Sequence, residues 1–163
     1  MNYPLLNTRY FVYASDGVVT NPDAFGNAWF VQKIYPVDSP LAEIEALYQV
    51  DLHQVAIVDT TQFNYSGTSS LLGGGNIDLL VYQPNYLQYE ASVASDGLAV
   101  FSEIYYEKGW QAWVDGEPAK PIRANYILRA LPIPAGKHTI TFEFKPSSYI
   151  VGLCYYLDLL TKV

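Results

Sequence analysis

Sulfur and positive charge are both scarce in this chain, which has one cysteine, one methionine and nine Lys or Arg among 163 residues. A single cysteine, Cys154, allows no internal disulfide and so says nothing about redox compartment. It also lacks a basic neighbour to activate it, so it reads as a packing residue. Sixteen Asp and Glu bring the formal charge to −7. That charge opposes phosphate backbones, no Lys/Arg cluster offsets it, and nucleic acid is not an expected partner. The two histidines, His53 and His138, stand far apart and in no metal-ligand spacing, so neither a metal nor another cofactor is expected. No GxSxG elbow occurs. No apolar run reaches the length of about 18 to 20 residues that spans a bilayer. The opening "MNYPLLNTRYFVYAS" has no basic start, apolar stretch and small-residue cleavage site in series, so it is not expected to act as a signal peptide.

What the chain has in quantity is rings. Fifteen tyrosines, seven phenylalanines and three tryptophans favour strands, because aromatic side chains suit a half-buried pleated surface. The length fits one domain with a real core. "RYFVYA" and "NAWFVQK" read as short buried strands around the turn-rich "SDGVVTNPDAFG". "DSPLAEIEALYQ" reads as a helix near 39–49. Asp38 or Ser39 caps it, Pro40 fits its first turn, and Glu43 and Glu45 oppose its dipole. Leu41, Ile44, Leu47 and Tyr48 would form its packing face. "VAIVD" is a further strand, followed by a loop ending in Gly73-Gly74-Gly75. Because a strand-like "NIDLLVYQ" follows that run, the helix N-terminus of a phosphate cradle is missing.

The second half alternates more clearly. Leu87, Tyr89, Ala91 and Val93 interleave with polar residues, so one face of that strand is buried. "LAVFSEIYY" has the continuous apolar run of a central strand. Asp115-Gly116 suits a tight hairpin turn, "PAGKH" marks another, and "TITFEF" places Ile140, Phe142 and Phe144 on one face. These signals together predict a mainly β domain over 1–148. The expected architecture is an antiparallel, jelly-roll-like β-sandwich with one packed helix, followed by an apolar tail over 149–163.

Candidate chemistry concentrates in "SEIYYEKGWQAWVDG". Tyr105, Tyr106, Trp110 and Trp113 lie in one strand–turn–strand segment near Glu103, Arg123 and Asn125. Aromatic faces flanked by polar side chains are what a sugar-binding surface requires, and these seven residues are the glycan-binding candidates. The competing reading is that the rings fill and edge the sandwich. Alternation puts Trp110, Ala112 and Val114 on one face and Gln111 and Trp113 on the other. Glu103, Glu107, Asp115 and Glu117 raise the question of a carboxylate pair for glycoside hydrolysis. Arg123 and Arg129 are the obvious partners for an inward-facing Glu103, and a structural ion pair is the simpler reading.

The order of these motifs resembles the C-terminal soluble region of the YfhO-type bacterial membrane proteins. The matching pattern is Ser-Glu-x-Tyr-Tyr at 102–106, Gly-Trp at 109–110, Val-Asp-Gly at 114–116, Arg-x-Asn-Tyr at 123–126 and Pro-Ala-Gly-x-His at 134–138, with "NPDAFGNAWFV" as an earlier block. The family is similar to polyprenyl-linked sugar transferases whose catalytic carboxylates lie in membrane-proximal loops. The resemblance therefore implies no catalytic residue in this chain, and no enzymatic activity of this domain in isolation. It implies a non-catalytic extracytoplasmic domain of a glycosyltransferase-like protein. Such a domain would sit in the bacterial cell envelope, on the outer face of the cytoplasmic membrane, tethered by helices absent from this sequence. Expected partners are the membrane-embedded part of the parent protein and a glycan or lipid-linked sugar. A purely structural module and, last, a hydrolase using Glu103 remain the alternatives. The tail "YIVGLCYYLDLLTKV" stands where the family enters its last membrane helix. Asp158 is costly at bilayer depth, so a surface or packing helix is the other reading.

Overall fold

The computed structural model describes residues 6–14, 17–63 and 74–146. The tail, Cys154, Ser69-Ser70 and Gly73 fall outside these residues. Among the described residues thirteen strands and one helix follow in order: β1 (Tyr10–Tyr13), β2 (Gly17–Thr20), β3 (Ala28–Val31), β4 (Lys33–Val37), α1 (Pro40–Ala46), β5 (Val55–Asp59), β6 (Gly75–Gln83), β7 (Tyr86–Val93), β8 (Gly97–Ile104), β9 (Trp110–Val114), β10 (Glu117–Ala119), β11 (Ile122–Ala124), β12 (Leu128–Ile133) and β13 (Gly136–Phe144).

Two antiparallel sheets form the sandwich. One has the order β10-β9-β13-β7-β6, the other β11-β12-β8-β3. The chain changes sheet between β7 and β8, β8 and β9, β10 and β11, and β12 and β13, which is the jelly-roll habit of arching across the core. Between the sheets lie Leu87, Tyr89, Ala91, Val93, Ile140 and Phe142 from one side and Phe30, Ala99, Phe101, Leu131 and Ile133 from the other. The alternation along β7 and β13 therefore falls on the core as the sequence pattern expects. Tyr89, Phe101 and Phe142 meet edge to face, with ring centroids 4.9 to 6.1 Å apart, the arrangement that aromatic quadrupoles favour.

The four-stranded sheet is buried on both faces. Leu98, Val100, Leu128 and Ala130 point away from the sandwich into a second core with Ile34, Val37, Ala56, Ile57 and Val58. That second core exists because β4 and β5 pair in parallel, joined through α1, since parallel neighbours need a crossover. The unbroken apolar run of β8 has this double burial as its cause. Trp29 faces the same core and donates its indole N–H to the Leu52 carbonyl at 3.1 Å.

Three local expectations change. β1 is largely exposed and pairs with β2 as a free-standing ribbon, so "RYFVYA" is not a buried strand and Val18-Val19 belong to a strand rather than a turn. "KIYPV", unassigned in the sequence, forms β4 with Pro36 as its fourth residue. The helix is capped by Ser39, whose Oγ accepts from the Ala42 N–H at 3.4 Å. It runs only to Ala46 and turns a different face inward. Leu41 and Tyr48 are exposed while Glu43 and Ala46 are buried. The reason lies across the interface, where a cation and a backbone donor need an anionic acceptor.

Candidate functional site

That acceptor is Glu43. Its carboxylate takes the Arg123 guanidinium at 2.9 Å and the Tyr126 backbone N–H at 2.8 Å. Burial pushes the Glu43 carboxyl above the usual range, with the Tyr126 N–H and Arg123 pulling the other way. Next to it, the Asn125 amide oxygen accepts the Ile57 N–H at 2.9 Å, and the Asn125 backbone N–H donates to the Ile57 carbonyl at 2.8 Å. Asn125 and Tyr126 have φ of 51° and 72°. These left-handed values close the β11–β12 hairpin, and Asn tolerates them better than most residues. The Arg-x-Asn-Tyr motif is thus a clasp fastening the four-stranded sheet to α1 and β5. Arg123 also lies over the rings of Phe63 and Tyr126, at 5.4 and 5.5 Å.

The aromatic candidates collect elsewhere, in one cavity of about 370 Å³ where β9 and β10 meet the end of β8. That volume is at the lower end of the roughly 300 to 1,000 Å³ of small-ligand clefts. Tyr105, Tyr106, Trp110 and Trp113 all line it, and neither Arg123 nor Asn125 does. Both tryptophans line the cavity although alternation puts them on opposite faces of β9. Trp110 leans on the core side with Ala112, while Trp113 pairs in register with Thr141 and Pro118 on the other face. The Asp115-Gly116 turn, with φ of 54° and 84°, folds β10 back so that Pro118 and Lys120 complete the wall.

Gly109 has a specific reason to precede Trp110. A Cβ there would overlap the ring of Phe144, and that ring stacks against Trp110 at 5.4 Å and Tyr106 at 6.5 Å. Tyr105 is fixed from outside by an edge contact with Phe63 at 5.3 Å, and burial pushes its phenol above the ordinary range.

The buried polar element of the cavity is Arg129. Its guanidinium carbon lies 4.5 Å from the Trp110 ring centre and 4.7 Å from that of Phe142. Glu103 is half-buried on the neighbouring strand. Burial raises its carboxyl above the usual range, and the Arg129 charge draws it partly back. The two make no ion pair within 4.0 Å among the described residues. Sequence reasoning named Arg129 only as a partner for Glu103. Its position in β12, opposite Phe101 on the core face, is what places it in the cavity. Lys120 gave no sequence signal at all.

The last motif residues hold turns. Asp115 accepts His138 Nδ1 at 2.6 Å and the Thr139 N–H at 2.8 Å. The His138 bond holds the Asp115 carboxyl below its ordinary range, and the Asp115 bond raises His138. His53 is exposed and stacks on Phe25. Among the described residues no cluster of His, Cys, Asp or Glu is fit to hold a metal, and no helix is long and apolar enough to cross a membrane.

The family model for the bacterial membrane protein YfhO matches residues 43–155. The match takes in every motif from Ser102 to His138 and leaves "NPDAFGNAWFV" outside it. No curated protein and no solved structure matches the chain.

Proposed function

We propose a ligand-positioning role for this domain, starting from the premise that the chain belongs to the YfhO family of bacterial membrane proteins. In this reading the domain is non-catalytic and stands at the extracytoplasmic face of the membrane. It holds a cell-envelope glycan, free or lipid-linked, for the membrane-embedded part of a glycosyltransferase-like parent. The observation that carries the reading is the convergence of Tyr105, Tyr106, Trp110 and Trp113 on one cavity of ligand size. Ring faces take up the C–H surface of a sugar, and the polar groups between them take its hydroxyls. Trp110→Ala should weaken glycan binding by about fivefold to 150-fold, given the roughly 1 to 3 kcal/mol that a stacking ring supplies. Unchanged glycan binding in a folded Trp110→Ala variant, read by calorimetry against envelope oligosaccharides, would reject the role.

A second reading is favoured by the clasp. Arg123 Nη2, Asn125 Oδ1 and both carboxylate oxygens of Asp115 bond within the domain, so each of these three motif residues has a part in the fold, although Arg123 Nε and Asn125 Nδ2 are buried without a partner. A purely structural module that steadies the membrane body would need nothing more. It predicts no response to any sugar, and a parent protein that loses stability when this domain is removed.

A further inference from the structure

We infer that the aromatic cavity takes an oxyanion, borne on the sugar as a carboxylate or a phosphate ester, and that Arg129 is the residue that binds it. The inference rests on the glycan reading for the ring that carries the anion. The charge requirement comes from Arg129 alone. This side chain is 1% exposed, and its Nε and Nη1 have no hydrogen-bond partner. Nη2 makes one long bond, 3.3 Å, to the Ile104 carbonyl. Buried arginines are almost always paired, because an unpaired guanidinium forfeits its hydration without replacement.

The ring faces of Trp110 and Phe142 return part of the hydration this cation loses, but they satisfy none of its in-plane N–H groups. Phe101 beside it in β8 and Phe142 across the sandwich are both apolar, and an apolar side chain of similar volume would fill the space at lower desolvation cost. The rings of Trp110 and Phe142 cover the guanidinium, which leaves its in-plane N–H groups as the unmet valence. In-plane N–H groups are the ones an oxyanion uses.

The surrounding charges are balanced. Lys120 and Glu107 line the cavity with Arg129, and Glu103 faces the arginine without reaching it. An incoming anion meets two carboxylates at a distance and one guanidinium in contact. Glu107 is exposed, so its repulsion is screened by water and salt, while a charge-assisted contact in a half-enclosed site is not. The Trp110 ring lies 4.5 Å from the guanidinium carbon, which makes that indole a reporter of binding.

The test titrates the full 163-residue chain with methyl glucoside, glucuronate, glucose 1-phosphate and inorganic phosphate, following tryptophan fluorescence and binding heat. Glucuronate or glucose 1-phosphate should bind about tenfold tighter than methyl glucoside, or more. Whichever of the two binds tighter identifies the source of the anion. Arg129→Met should erase the preference and Arg129→Lys should keep part of it. If Arg129→Met fails to fold, the wild-type series decides by itself. Equal affinity for the three sugars overturns the oxyanion inference and leaves the glycan reading standing. Inorganic phosphate binding as tightly as glucose 1-phosphate does the reverse, and no binding by any probe overturns both.

Discussion

Replacing Asn125 with alanine removes the acceptor that holds the Ile57 N–H inside the second core. The bond is 2.9 Å long and Asn125 is fully buried, so no water takes its place. An orphaned buried donor costs about 1 to 3 kcal/mol. Alanine at a φ of 51° adds about 1 to 2 kcal/mol for left-handed backbone. Against these stands the Asn125 Nδ2, which is buried without a partner and whose removal returns about 1 kcal/mol. The net expectation is a loss of about 2.5 kcal/mol. Asn125→Gly escapes the φ penalty but not the orphaned donor, so it should lie about 1 kcal/mol above alanine. Urea unfolding of both variants against wild type measures the two numbers, with the denaturant slope unchanged if each acts on the native state. A loss under about 0.5 kcal/mol for alanine, or glycine no better than alanine, would refute the clasp and return Asn125 to the list of ligand contacts.

Two further outcomes follow from the same geometry. Gly109→Ala drives a methyl into the Phe144 ring. It should destabilise by about 1 to 3 kcal/mol and shift Trp110 emission, because Phe144 is what Trp110 rests on; an unchanged spectrum and melting curve would count against that support. The His138–Asp115 pair predicts a pH profile. His138 is raised when folded, so its contribution is full below its ordinary pKa of about 6.5 and lost as pH rises through the folded value. Asp115 is lowered, so its contribution is full above about 3.9 and lost as pH falls through its folded value. The pair therefore supports the β9–β10 turn between about pH 4 and 6.5, and His138→Gln should flatten the fall in stability above that window. A wild-type melting temperature indifferent to pH between 6 and 8 would show the pair contributes nothing.

The sandwich was legible because a period of two is a local property. Leu87 to Val93 and Ile140 to Phe144 show which face is buried without reference to any other strand. Asp115-Gly116 names its own turn in the same way. The aromatic segment was legible as a cluster, since Tyr105 to Trp113 are neighbours in sequence before they are neighbours in space. Its family, too, followed from motif order.

The tertiary structure alone decided what each polar residue is for. Glu43 reads as a dipole-facing helix acid and turns out to be a buried anchor, because Arg123 and the Tyr126 N–H approach it from about 80 residues away. Arg123 and Asn125 read as site residues beside the tryptophans and instead fasten one sheet to the β4–α1–β5 layer. Arg129, one of two equivalent partners for Glu103 in the sequence, became the buried cation of the cavity through its register opposite Phe101. A pattern of apolar residues specifies a face, which burial alone can select. A hydrogen bond or an ion pair specifies a partner, and the fold has to bring that partner within 3 Å before the side chain has a role.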